Sequence, residues 1–255
     1  MPWRFILIVF FVLGILGELY YSFAYGEFLK IKNVSVEGDD SLPIAAIQLK
    51  VGDYEKEKIF GLLPRDNFLF FEKSNLQASI VDAFPRVSDL NVVFDLSSSQ
   101  AKILLSPRKE VAVLCGAESQ ETCLYIDKSG FAFAASPQTS GAILPSFIDS
   151  RPGQLALGKK VINESVLDLL IKTRAALTAN DYKIDTVTLR PSDDFVVQFQ
   201  EGFAAWFSLN DDPTSQVARL QQVLQQIVGE KLNQLDYVDL RVGNKIFYRF
   251  KGVVQ

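Results

Sequence analysis

The sequence predicts an α+β protein: a single N-terminal transmembrane helix, a small module in the order β-α-α-β-β, then a mixed β-domain with two packed helices. Three observations lead there. One apolar run, Phe5 to Tyr25, is broken only by Glu18 and has no counterpart later in the chain. Beyond it, apolar residues alternate, then recur every three to four positions, then alternate again. From Glu110 the pattern turns to many short strands punctuated by Gly, Pro and Asp, with two helix-length stripes among them.

At about 1.5 Å per residue, residues 5–25 span roughly 31 Å, close to the roughly 30 Å hydrocarbon thickness of a bilayer. Arg4 and the amino terminus precede the run without an acid, which puts residues 1–4 in the cytoplasm and the rest of the chain outside it. The rival reading is a cleaved signal peptide, with Ser22-Phe23-Ala24 as a small-x-small site. Tyr20, Tyr21 and Tyr25 favour the anchor, because an aromatic belt belongs at the membrane surface. Glu18, near the outer end of the run, is either a carboxylate reaching toward the interface or a transmembrane contact to a partner helix.

Composition excludes several function classes. Hydrophobic content of 48% with 22% charged residues describes a folded chain with apolar mass for a core. A net charge of −4 offers no basic face, so nucleic acid is not an expected partner. The chain has no histidine, which removes every Ser-His or Cys-His pair and every His metal ligand. Two cysteines cannot fill a structural zinc site. The acidic doublets Asp39-Asp40, Asp193-Asp194 and Asp211-Asp212 fall where turns or helix caps are expected, not where a catalytic pair would stand. No cofactor, metal or small-molecule substrate is expected.

In the first module, residues 26–108, Ile31 to Gly38 alternates and ends in a glycine, as a strand running into a turn does. Ser41 to Lys50 forms a short helix with Pro43 in its first turn and Ile44 and Ile47 on one face. Ser74 caps a second helix whose Leu76, Ile80 and Phe84 recur every four residues until Pro85 stops it. Leu90, Val92, Phe94 and Leu96 then alternate with polar neighbours, Ser97 to Gln100 turn the chain, and Ala101, Ile103 and Leu105 alternate on the way back.

In the second domain, residues 109–255, Asn163 caps a helix with Leu167, Leu170, Ile171, Arg174 and Leu177 on one side. Strands follow at Ile184 to Leu189, Phe195 to Gln200 and Phe203 to Leu209, the last two hinged at Glu201-Gly202. Asp212 and Pro213 open the second helix, whose stripe of Val217, Leu220, Leu224, Ile227 and Val228 ends at Gly229. A hairpin closes the chain, Tyr237 to Val242 and Lys245 to Phe250 around a Gly243-Asn244 turn. Such a last strand is a natural sheet edge. Lys245 and Arg249 read as charges that blunt it, whereas Phe247, Tyr248 and Phe250 leave it open to a partner strand.

Cys115 and Cys123 end and begin two apolar runs separated by the polar loop Gly116 to Thr122. If the runs pair, the thiols face each other and can form a bridge. The alternative is two small buried side chains.

This order of elements resembles the FtsQ/DivIB family of bacterial cell-division proteins along essentially the whole chain. Ile31 to Gly38, Asn67-Phe68-Leu69-Phe70, Ala83-Phe84-Pro85-Arg86-Val87, Arg108-Lys109-Glu110-Val111-Ala112, Leu124 to Phe133, Ile143-Leu144-Pro145 and Tyr237-Val238-Asp239-Leu240-Arg241 fall in the family's order. The chain departs from it at Ser97 to Gln100 and at Val111, where the family usually has proline, and in its short cytoplasmic tail. The resemblance implies that residues 26–108 are a POTRA domain and that the protein has no chemistry of its own. It implies a scaffold of the divisome, in the cytoplasmic membrane at the division septum, that holds small bitopic FtsB- and FtsL-like partners, contacts other divisome membrane proteins and helps control septal peptidoglycan synthesis. By their place in the motif, Arg241, Val242, Tyr248 and Phe250 would meet the partner strand, with Lys245 and Phe247 on the same hairpin. Two other classes compete: a POTRA-containing component of outer-membrane protein translocation, which needs a long series of lipid-facing strands, and a membrane-tethered wall hydrolase, which needs a carboxylate pair in a cleft.

Overall fold

A computed structural model describes residues 2–117, 123–137, 144–153, 155–243 and 245–252. The chain divides into two compact units, Met1–Arg108 and Lys109–Gln255, and its architecture is α+β throughout.

The first unit opens with α1, Pro2–Tyr25, long and apolar enough to cross a membrane by length and composition. There follow β1 (Asn33–Glu37), α2 (Ile44–Lys56), the short strands β2 (Lys58–Ile59) and β3 (Leu63–Pro64), α3 (Lys73–Ala83), β4 (Val87–Asp95) and β5 (Gln100–Pro107). The sheet has the order β1-β5-β4, with β1 parallel and β4 antiparallel to the central β5. Ile47 and Val51 of α2, Leu76 and Ile80 of α3, and Leu90, Ala101 and Ile103 of the sheet close one core, as the period of each element requires.

Details depart from the sequence reading. Pro43 precedes α2 as its N-cap, and the helix runs on to Lys56 because Val51 and Tyr54 continue its buried face. Ser74 lies inside α3, whose N-cap position is Glu72, so it caps nothing. Leu96 falls past β4 and is exposed, while Phe94 closes the core's rim edge-on to Phe68 and Phe71. The β2–β3 ribbon is an addition to the expected order: strands of two residues have no period to read. The outer edge of β1 is covered by a side chain, since the Gln48 amide accepts from Val36 N–H at 3.0 Å and donates to Val34 C=O at 2.8 Å.

The second unit contains β6 (Ala112–Gly116), β7 (Cys123–Ile126), β8 (Phe131–Ser136), β9 (Ser146–Asp149), β10 (Lys159–Lys160), α4 (Glu164–Ala179), β11 (Ile184–Leu189), β12 (Asp194–Phe199), β13 (Ala204–Ser208), α5 (Pro213–Val223), β14 (Leu235–Val242) and β15 (Lys245–Phe250). They form one mixed sheet in the order β10-β8-β7-β6-β9-β11-β12-β13-β14-β15. Both helices serve as crossovers between parallel neighbours, α4 before β11 beside β9 and α5 between β13 and β14. That connection lays their apolar faces on the sheet. Leu167, Leu170, Val217 and Leu220 meet Phe195, Val197, Phe199 and Phe207, where Phe195 stacks on Phe207 at 5.1 Å and Phe199 on Phe203 at 4.5 Å.

Asp212 caps α5 by accepting from Ser215 N–H at 2.8 Å, but Asn163 stands before α4 without a side-chain cap bond. The stripe after α5 also shifts. Residues Leu224–Val228 form a π-helical turn and Gly229–Gln234 a 3₁₀ segment, which exposes Ile227 and buries Val223 and Val228. Among the expectations above, Asn244 of the hairpin turn, Ile143 and loop residues 118–122 lie outside the described residues.

Candidate functional site

The last strand in sequence, β15, is also the last strand of the sheet among the described residues. Its register on β14 decides which side chains face where. Tyr248 lies opposite Val238 and Phe250 opposite Leu235, both buried core residues, so Tyr248 and Phe250 belong to the helix-covered face. Phe247 lies opposite Asp239 and Arg249 opposite Tyr237, on the other face. Tyr248 and Phe250 meet edge-to-face at 5.7 Å. Phe250 packs against the core, while Phe247 and Tyr248 remain 51% and 42% exposed.

The backbone follows the same logic. Lys251 N–H donates inward to Gln234 C=O at 2.7 Å. Both β14–β15 register shifts insert their extra residue on β14, so the alternation along β15 is unbroken. The N–H and C=O groups of Ile246, Tyr248 and Phe250 therefore point away from β14, and those of Phe247 and Arg249 point toward it. A proline probe of the open edge belongs at Tyr248. At Phe247 it would break the ladder to β14.

The face opposite the helices carries a stacked aromatic and cationic array. Trp206 lies on Tyr237 with centroids 4.8 Å apart and planes 2° apart. The Arg241 guanidinium sits 4.5 Å above Trp206, Arg190 5.6 Å from the same ring, and Arg249 4.8 Å from Tyr237. Arg241 also donates in bidentate fashion to Asp239, at 2.9 and 2.7 Å, and to Asp194. Burial pushes the Asp239 carboxyl up, but the hydrogen bonds and charge of Arg241 prevail and hold it below its ordinary value. Arg241, expected to meet a partner, thus spends its donors inside the chain.

Val242 is exposed at the end of β14 and faces Lys245, exposed at the start of β15. Asp194 departs from the turn expected for its doublet: it is the buried first residue of β12, reached by Arg241, Arg190 and the Ser192 hydroxyl. Asp194 and Asp239 converge on one guanidinium, a structural clamp rather than an acid-base pair. Among the described residues, no group of three or more His, Cys, Asp or Glu is placed to hold a metal.

Cys115 and Cys123 are cross-strand partners on β6 and β7, joined with an S–S distance of 2.00 Å. Glu18 lies between Gly14 and Ser22 along α1, in a shallow concavity flanked by Phe10, Phe11, Ile15 and Leu19. The structure gathers Val242, Lys245, Phe247, Tyr248 and Phe250 on one hairpin and leaves Glu18 and the cysteines elsewhere. The Trp206–Tyr237 array is what the sequence reading missed. Only the outward positions of β13 and β14 in the period-2 pattern pointed to it.

Residues 118–241 match the family model described as Cell division protein FtsQ/DivIB, C-terminal, a stretch that reaches into β14 and covers most of the second unit. No curated protein matches the chain. The second unit carries the C-terminal domain of the FtsQ/DivIB family of cell-division proteins.

Proposed function

We propose that this cell-division protein is a non-catalytic, single-pass scaffold of the divisome that captures small bitopic FtsB- and FtsL-like proteins by strand addition along β15. Its N-terminus lies in the cytoplasm, residues 26–255 lie outside, and it acts at the septum in the control of peptidoglycan synthesis. Residues 26–108 are read as a POTRA domain. The observation that carries this reading is the open edge: among the described residues, a row of backbone groups at Ile246, Tyr248 and Phe250 without a neighbouring strand, beside exposed Phe247 and Tyr248. Arg4, in the first turn of α1 and just before its apolar run, supports the orientation, and paired cysteines suit an oxidising compartment. Glu18 is the proposed helix contact within the membrane.

The test measures capture of an FtsB-like partner by the full-length chain in nanodiscs, with thermal melting in parallel. Tyr248→Pro removes an outward N–H and should weaken capture by on the order of 2 kcal/mol or more, as a hot spot does, with little change in melting. Phe247→Ala and Tyr248→Ala should each weaken it less. Phe250→Ala also opens the core, so it should lower the melting temperature. Normal capture by all three exposed-site variants, with unchanged melting, would place the partner elsewhere.

A further inference from the structure

Large apolar side chains scattered singly over a surface need no explanation, but a contiguous group does. The first unit carries such a group. Phe28 is 87% exposed, Phe60 94%, Leu62 62% and Leu69 59%. Phe60 and Leu62 form the β2–β3 turn with Gly61 between them, and Phe60 holds a left-handed φ of 49°, which is unfavourable for a bulky residue. A side chain kept strained and bare at a ribbon tip is not there to fold the unit.

Hydrogen bonds draw this group to one place, the last turn of α1. The Tyr25 hydroxyl donates to Leu62 C=O at 2.5 Å. Asn67, itself buried, donates its amide to the carbonyls of Phe23 at 2.8 Å and Ala24 at 3.2 Å, which lack partners at a helix end. Phe68 N–H donates to Leu29 C=O at 2.9 Å, and Lys30 bridges Asn67 in antiparallel fashion, which sets Phe28 opposite Leu69. Gly26 permits the close turn, because a Cβ there would lie 2.2 Å from the Ser22 carbonyl oxygen.

The run of residues 5–25 is about as long as the hydrocarbon layer is thick, so its last turn lies at the layer's boundary, where Tyr20, Tyr21 and Tyr25 form a belt. The ribbon bonded to that turn is at the same level. We propose that Phe60 and Leu62, with Phe28 and Leu69, form a foot that rests in the outer-leaflet interface and fixes the first unit against the bilayer. The occupant of the patch is lipid, at the boundary of headgroups and acyl chains. This inference rests on α1 crossing the membrane, and it concerns a surface other than the β15 edge.

The test places the full-length chain at low density in vesicles of phosphatidylethanolamine and phosphatidylglycerol, with nitroxide labels on single introduced cysteines. Cys115 and Cys123 are paired, which leaves the introduced thiol for labelling. Phe60→Cys and Leu62→Cys report on the foot, the latter with Phe60 intact. Leu13→Cys reports on the span, and Asp40→Cys, beyond the far end of β1, is the water-exposed reference. The Phe60 and Leu62 labels should collide several-fold less with a water-soluble nickel chelate, and more with oxygen, than the Asp40 label. Foot labels as open to nickel as Asp40, with Leu13 protected, would overturn the foot and leave the span standing. That outcome would make the patch a protein-binding surface. A Leu13 label open to nickel would overturn both.

Discussion

At Glu55 the folded chain holds a proton that an unfolded chain releases. Loss of hydration pushes this carboxyl up to about 7 from 4.5; the charge of Asp66 adds to the shift and that of Lys56 opposes it. The native state therefore binds more protons than the unfolded state between those values, so stability falls as pH rises through that window, and the full penalty applies above it. Glu55→Gln should flatten this slope and stabilise the protein by on the order of 1 kcal/mol near pH 8, after allowance for solvent screening at a partly exposed group. Thermal melts of both proteins across that range check it, and equal slopes would sink the idea. Asp239 has the opposite sign: its lowered value adds stability at neutral pH that is lost as acid protonates it. Glu55 did not stand out in the sequence, and Asp239 did so only as part of the stretch from Tyr237 to Arg241. The carboxyl of Glu55 responds to Asp66, on the far side of the ribbon, and Asp239 to Arg241 in a clamp that also takes in Asp194 from β12.

The elements that sequence pattern reads well are those with several periods. In α3, Leu76 and Ile80 are buried as their spacing requires, and in β11 to β13 the alternation matches burial nearly residue for residue. Pattern fails where an element is too short, as in β2 and β3, or changes pitch, as at Leu224–Val228, where the π-helical turn carries Ile227 off the stripe. The hairpin of β6 and β7 yields an element-scale prediction. Ala112 pairs with Ile126 and Cys115 with Cys123, so non-reducing peptide mapping of protein from its native compartment should link the two cysteines. Replacing both with serine should cost roughly 2 to 3 kcal/mol on the chain-entropy account. Two freely alkylated thiols in native protein would make them ordinary buried side chains.

For the whole molecule, the question of anchor or signal peptide turns on the junction after α1. Ala24, the small residue of the Ser22-Phe23-Ala24 site, is 1% exposed, and its carbonyl is held by Asn67. Cleavage there would have to open that contact. The mature protein should keep residues 2–25, fractionate with membranes and lose its exported units to external protease; a mature N-terminus at Tyr25 would establish the signal peptide instead. By itself the sequence determined the apolar run, the β-α-α-β-β order of the first module, the cap of α5 and the hairpin that ends the chain, because each is a local pattern of burial or turn chemistry. Only the tertiary structure decided that β15 ends the sheet among the described residues, that Phe250 turns inward while Phe247 turns outward, that Arg241 is claimed by Asp194, and that the turn of residues 60–62 is bonded to the end of α1. Each of those depends on which distant segments become neighbours, and period records only that a residue is buried, never against what.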